Sequence, residues 1–327
     1  MPSGITHMLL SRFVIDRVAD EAEPIVAAVL RSEPGAFLIG SVAPDLPYMS
    51  DLDLKLFKSH KLVADDLHYR VTDLVPIRGM TEARAIVEGG GPIDQARALY
   101  AFYIGYCSHL VADGLVHPFV RDKVGDYDVA AKAHRVLEME LDVLLARKLL
   151  NMEVNGLEFE DEQKWISDSH FKSQILASFS RQINSVYPHH KVIPADVGGW
   201  ISTMQTVFGA AEGQFPRWYR SLLGDQGIAF KDYSDLISES DEILTLRMPK
   251  DAEQKGLTSN FMKKDTVHFF DDVIMRYFDR FPEVIVAGYD WVFNGKVPDR
   301  SLVPAIDLDN GRLLLANNLA EMPALWV

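Results

Sequence analysis

Histidines and carboxylates recur at a spacing of four in two short runs, His109-Leu-Val-Ala-Asp113-Gly-Leu-Val-His117 and His134-Arg-Val-Leu-Glu138. Steps of four stay on one side of an α-helix and drift by about 40° each, so His109, Asp113 and His117 span a sector of about 80°. Leu99, Phe102, Tyr106 and Leu110 fall on the same stripe, and Leu141 and Leu145 continue the stripe of His134 and Glu138. Ionisable groups on a face that must enter a core need strong compensation. A cluster of divalent cations supplies it, and imidazole together with carboxylate suits zinc ahead of iron or manganese. Two such helices facing each other converge five ligands in a bundle interior. A single His-x-x-x-Asp pair is ordinary on a helix surface. Two pairs with a third His in register point instead to a multi-metal hydrolase.

The elements that must carry these residues are mostly helical. The periodicity predicts helices over Thr6 to about Ala19 and Glu21 to Arg31, with a break at Glu33-Pro-Gly. Phe37 to Pro47 reads as a short apolar segment entering a proline-bounded loop that holds Asp45. After Glu88-Gly-Gly-Gly-Pro92, Asp94 can cap a long helix running to His117, where Pro118 stops it. A loop through Gly125 leads to a helix from about Val129 to Leu150. Asn151 to Lys164 reads as an acidic linker or surface loop, followed by amphipathic stretches over Trp165–Val186, Gly199–Leu223, Tyr233–Leu246, Thr258–Phe281 and Pro282–Phe293. Ile306 to Leu315 alternates around Asn310-Gly311 and predicts a small hairpin. The expected fold is mostly α. Residues 1–150 form a metal-binding helical catalytic domain, and residues 151–327 form a helical C-terminal extension packed on it or continuous with it.

Composition sets limits on the partners. The chain has 327 residues, 48% of them apolar, enough for a sizeable core. Its formal net charge is −14, which disfavours non-specific binding to nucleic acid or an anionic membrane. An anionic substrate stays compatible, because bound metal inverts the local field. The single cysteine, Cys107, forms no intramolecular disulfide. With no secretory signal pattern and no apolar run of membrane-spanning length, the chain reads as cytoplasmic.

Further residues can complete a metal cluster. They are His7 in Thr6-His7-Met8, His68 in Asp65-Asp66-Leu67-His68-Tyr69, and Asp45 after Pro44. Each alone has an ordinary explanation as a solvated residue or a turn former. His189-His190, in Tyr187-Pro188-His-His-Lys191, reads as a loop rather than a metal site, and His170 and His268 read as hydrogen-bonded structural residues. Phe215-Pro-Arg-Trp218-Tyr219 and Val267-His-Phe-Phe270 read as core, and Gly89-Gly-Gly91 as a turn.

Taken in order, Thr6-His7, Gly40-Ser-Val-Ala-Pro-Asp45, His68, His109-x3-Asp113-x3-His117 and His134-x3-Glu138 resemble the zinc-dependent phospholipase C family. That family shares its helical fold with the single-strand-preferring zinc nucleases of fungi and plants. The resemblance covers roughly residues 1–150. It implies a multi-helix phospholipase C/nuclease-like bundle, zinc ions in a cleft, and hydrolysis of phosphodiesters or related esters. Carried over by motif, one zinc takes His68, His109 and Asp113, and a second takes His117, His134 and Glu138. Asp113 bridges to a third zinc that also takes His7 and the N-terminal backbone, and Asp45 orients or deprotonates the attacking water.

Secreted members of the family begin with a Trp whose amino group and carbonyl bind the third zinc. This chain begins Met1-Pro2, which leaves two or three ions open. The interval between Asp113 and His117 is shorter than in the secreted phospholipases, yet keeps His117 on the helix face. His60 competes with His68, whose Leu-His-Tyr context and distance from Asp45 fit better. The residues that cradle choline have no recognisable counterpart, so head-group specificity does not transfer.

The expectation is therefore a zinc-dependent phosphoesterase acting on a phosphate ester, lipid or small and soluble, foremost a phosphodiester, with Asp45 as general base or water-orienting group. One rival is a nuclease on the same scaffold, disfavoured by the charge. The other is a metal-stabilised binding module without activity, disfavoured by the near-complete ligand set.

Overall fold

The computed structural model describes residues 4–21, 24–51, 59–154, 171–209, 230–251, 264–297 and 303–314. The chain opens with α1 (Gly4–Glu21), α2 (Pro24–Ser32) and α3 (Pro34–Gly40), followed by a 3-10 segment, Ala43–Asp51. Then come α4 (Lys61–Tyr69), α5 (Leu74–Glu88), α6 (Ile93–Val124) and α7 (Tyr127–Leu150). The remainder holds α8 (Lys172–Val186), α9 (Pro194–Gly209), the short α10 (Tyr233–Leu236) and α11 (Ser240–Leu244), and α12 (Met275–Asn294). Strands β1 (Thr245–Arg247) and β2 (Thr266–His268) pair antiparallel, with Leu246 opposite Val267. Among the described residues no helix is long and apolar enough to cross a membrane.

Helix α6 is the axis of the molecule. Every residue from Ala98 to Val120 is buried, as expected of a helix that is apolar nearly all round. Around it pack α1, α3, α5, α7, α8 and α12. Two glycines set the closest of these contacts. A Cβ on Gly40 would lie 2.0 Å from the Phe102 carbonyl oxygen, and one on Gly105 would lie 2.2 Å from that of Phe37. Only glycine lets α3 and α6 approach backbone to backbone. On another side, Gly288 of α12 faces Ile104, where a Cβ would come within 2.5 Å of Cδ1.

Several elements depart from the sequence reading. The expected break falls at Glu33, between α2 and α3, but helix resumes at once: Pro34 begins α3 at its first turn, where a proline is pre-organised and its missing N–H costs nothing. The expected loop around Asp45 is the 3-10 segment. Asp94 lies inside the first turn of α6 and pairs with Arg97, while Pro92 occupies the cap. Pro118 does not end α6. The helix runs on to Val124 because Phe119 and Val120 are fully buried, and that burial outweighs the roughly 3 kcal/mol penalty of an interior proline. Gly125, at φ 101°, terminates it. Helix α7 starts at Tyr127 and kinks at Ala130.

The predicted helix over Tyr233–Leu246 is two short helices running into β1. The described part of Thr258–Phe281 is β2, a π-helical turn over Phe269–Ile274 and the start of α12. That helix passes through Pro282 without interruption. The described part of the C-terminal tail makes the expected bridge, Ile306 with Leu313. Asn155-Gly156, His170 and Phe215–Tyr219 lie outside the described residues.

Candidate metal centre

Asp113, in the middle of α6, has no solvent exposure. Its carboxylate lies 3.0 Å from His109 Nε2, 3.1 Å from His7 Nε2, 3.6 Å from His117 Nε2 and 3.8 Å from His68 Nε2. Asp45, from the 3-10 segment, places Oδ1 3.1 Å from His68 Nε2. The imidazoles of His7 and His109 stack with centroids 4.1 Å apart, and His68 meets His109 edge-on. Two sets of donor atoms lie within 4.8 Å of one another: His68, His109 and Asp113, and His7, Asp45 and His109. Residues from α1, the 3-10 segment, α4 and α6 thus converge on one buried point.

Local packing explains the convergence. The contact of Gly40 with α6 brings the Ser41 carbonyl to His109, which donates Nδ1–H to it at 3.0 Å. His109 is one helical turn beyond Gly105, so the glycine contact and the imidazole share a face. His68 donates Nδ1–H to the Ala64 carbonyl at 2.7 Å, within its own helix. Helix α1 is held by Asp142 of α7, whose carboxylate accepts the backbone N–H and the hydroxyl of Thr6. His7, the next residue, is therefore buried rather than frayed.

These hydrogen bonds test the donor set. A carbonyl only accepts, so His68 and His109 carry a proton on Nδ1, and in the neutral imidazole Nε2 is then a lone pair. Both lone pairs face carboxylates, an arrangement that needs either a second proton or a cation between them. Both Asp113 oxygens and both nitrogens of His7 and His117 are buried without an aligned hydrogen bond among the described residues, despite approaches of 3.0 to 3.8 Å. Buried polar groups are normally satisfied. Backbone carbonyls that fix imidazole tautomers are also the usual support of metal-binding histidines. The residues present fit zinc.

Electrostatics agree with the geometry. Burial acts to raise the Asp113 carboxyl, but His109, His117 and His7 outweigh it and hold it well below the ordinary carboxylate range. Asp45 is lowered in the same way, burial being outweighed by His109 and His68. Burial and the neighbouring His109 lower His7. Burial also acts to lower His109, but Asp113 and Asp45 raise it on balance.

His117, His134 and Glu138 form a looser flank. All three are buried, and His117 feels the charge of Glu138. Their donor atoms are not among the sets that converge within 4.8 Å. His134 donates Nε2–H to the Gly125 carbonyl, leaving Nδ1 buried and without a hydrogen bond among the described residues. Burial lowers the His134 pKa and pushes the Glu138 carboxyl up to about 7.

The sequence reading missed Asp309. The C-terminal hairpin docks on α4 through Leu308 N–H to the His68 carbonyl, and Thr72 exchanges hydrogen bonds with Ile306. This brings Asp309 Oδ1 to 3.8 Å from His117 Nδ1. Asp307-Leu-Asp309-Asn310-Gly311 read only as turn chemistry, and nothing in that pattern identifies its partner. Asp142 was also missed, although its spacing of four from Glu138 was visible. His60 stands apart from the cluster, accepting Trp200 Nε1–H at Nδ1.

Compared with known protein families, residues 6–188 match the model described as Zinc dependent phospholipase C. No curated protein and no solved structure matches the chain.

Proposed function

We propose a phosphodiesterase activity for this chain, which belongs to the zinc-dependent phospholipase C family. The observation that carries the reading is the pinning of His68 and His109 at Nδ1, which turns two Nε2 atoms towards Asp45 and Asp113 in a buried site. His68, His109 and Asp113 would hold one zinc, His117, His134 and Glu138 a second, and His7 with Asp113 a third. When bound, zinc supplies Lewis acidity towards phosphoryl oxygens and brings water within reach of ionisation near neutral pH.

The chain's own groups do the rest. Asp45 is ionised at neutral pH, because its pKa is lowered, and it is held by His68. Its carboxylate can orient a water molecule or accept its proton. Three zinc ions against the four carboxylates of Asp45, Asp113, Glu138 and Asp309 would leave the loaded centre cationic, which suits a phosphodiester monoanion. Tyr69, 40% exposed, and the hairpin carrying Asp309 border His68. With Tyr48, whose ring also lies beside His68, they would offer outer contacts for a substrate, lipid or small and soluble.

The test is Asp45→Asn, with zinc measured by elemental analysis. Turnover is followed on bis(4-nitrophenyl) phosphate, phosphatidylcholine vesicles and single-stranded DNA. The expected result is two or three zinc ions per wild-type chain and a fall in turnover of about 10²–10⁴-fold in the variant. Full turnover in a zinc-loaded variant overturns the role of Asp45. Cleavage of DNA in preference to both other substrates moves the chain to nuclease chemistry.

A further inference from the structure

Helix α4 carries two metal-ligand residue types two positions apart, Asp66 and His68. Residues at that spacing do not share a helix face. His68 enters the centre, whereas Asp66 meets the turn that follows α8. There Asp66 Oδ2 lies 2.7 Å from His189 Nε2 and 2.9 Å from His190 Nε2. We propose that Asp66, His189 and His190 form a second, peripheral site for a divalent transition metal, zinc first among them.

The donor set is two imidazoles and one carboxylate, the composition of three-ligand zinc sites that leave a fourth position to solvent. All three donor atoms lie within 4.8 Å of one another. Tetrahedral zinc with bonds of about 2.0–2.1 Å needs donors roughly 3.3 Å apart. The present spacings open to that value by about half an ångström. His189 can make this movement, since its side chain is 58% exposed, while Asp66 and His190 are nearly buried and hold the floor of the site.

The turn is built before any ion arrives. His190 N–H donates to the Tyr187 carbonyl at 3.0 Å. Tyr187 donates its hydroxyl to the Arg70 carbonyl. Asn184 clamps Val192 by two hydrogen bonds, one to its carbonyl and one from its N–H. Pro188 stiffens the segment between them. The competing cation is Arg70, whose Nε lies 3.3 Å from Asp66 Oδ1. It engages the other carboxylate oxygen and is itself 68% exposed, so it need not leave for Oδ2 to bind metal. An ion here ties the turn after α8 to the helix that presents His68.

The experiment compares zinc-loaded wild type with His189→Ala. Both are desalted, assayed for zinc and titrated calorimetrically with zinc chloride. Wild type is expected to bind one more ion per chain than the variant, or to bind it at least about tenfold more tightly, since loss of a supporting residue alone typically costs 10–100-fold. Turnover on bis(4-nitrophenyl) phosphate should be the same in both. In a parallel titration with cobalt in place of zinc chloride, on desalted protein whose peripheral site has been emptied by a weak chelator, a visible d–d band should appear in wild type only. Equal zinc stoichiometry and affinity in the two proteins overturns the site. Because the readout is a difference between chains with the same centre, it stands or falls separately from the proposed activity.

Discussion

His68 and His109 are each held at both ring nitrogens, by a backbone carbonyl at Nδ1 and a carboxylate at Nε2. His117, two turns beyond His109 on the same helix, makes no aligned hydrogen bond among the described residues, its nearest carboxylates being Asp113 at 3.6 Å and Asp309 at 3.8 Å. The difference follows from what surrounds α6. At His109 the glycine contact between α3 and α6 delivers a carbonyl against the ring. At His117 the neighbour is a hairpin from the far end of the chain, anchored through α4. One flank is positioned by the core, and the other is completed by a peripheral strap. Equal spacing in sequence therefore yields unequal hydrogen-bonded support.

Removing the shared carboxylate should affect both flanks most. Asp113→Asn is expected to lose at least one zinc per chain and about 10³-fold or more in turnover, on the scale of removing a key electrostatic group. Elemental analysis beside phosphodiester kinetics checks it. Retention of full zinc would mean that the two flanks do not share Asp113.

The looser flank should announce itself in the pH dependence of metal-free protein. The folded-state pKa of Glu138, about 7, lies above its ordinary value of 4.5. The folded form therefore binds this proton more tightly than the unfolded form does. The contribution to stability is complete below the unfolded pKa and is lost as pH rises to about 7, by on the order of 3 kcal/mol. Glu138→Gln should lack this loss, which urea unfolding of both proteins at intervals of pH would show. Zinc should abolish it in wild type by compensating the ionised carboxylate.

Gly105→Ala attacks the rigid flank. Its Cβ would meet the Phe37 carbonyl at 2.2 Å. Separating α3 from α6 should cost about 1–3 kcal/mol, the range for overpacking a core. It should also weaken zinc binding through His109, measured by competition with a chelator. Unchanged zinc affinity would show that the Ser41 carbonyl is not needed to hold the ring.

The smallest change should come from Asp309→Asn. It leaves every expected ligand in place and is expected to lower the affinity of one zinc by about tenfold, in keeping with loss of an outer support. An effect as large as that of Asp113→Asn would make Asp309 a direct ligand.

Much of this was legible in the chain. The four-residue intervals of His109, Asp113, His117, His134 and Glu138 are local geometry, and helical periodicity alone brings them to common faces. The mostly α class follows from the same periodicity. Legibility failed where a local rule met a stronger distant one. Pro118 and Pro282 have the composition of helix ends, but Phe119 and Val120 beside the one and Phe281 and Val284 beside the other are buried, and packing outweighs the lost hydrogen bond. The segment around Asp45 read as a loop because Pro44 and Pro47 mask a 3-10 turn. The Asp309 hairpin was visible as a hairpin, but its destination beside His117 was not.

Residue types and intervals were thus enough to name the donor chemistry, the helices that carry it and the family resemblance. They favoured His68 over His60, but could not say that Asp142 seats His7, or that Asp66 meets His189 and His190 across the fold. Those pairings join positions far apart in the chain. Helical repeat correlates residues only over a few turns, whereas the packing of α3, α4 and the tail around α6 decides which of the distant side chains meet.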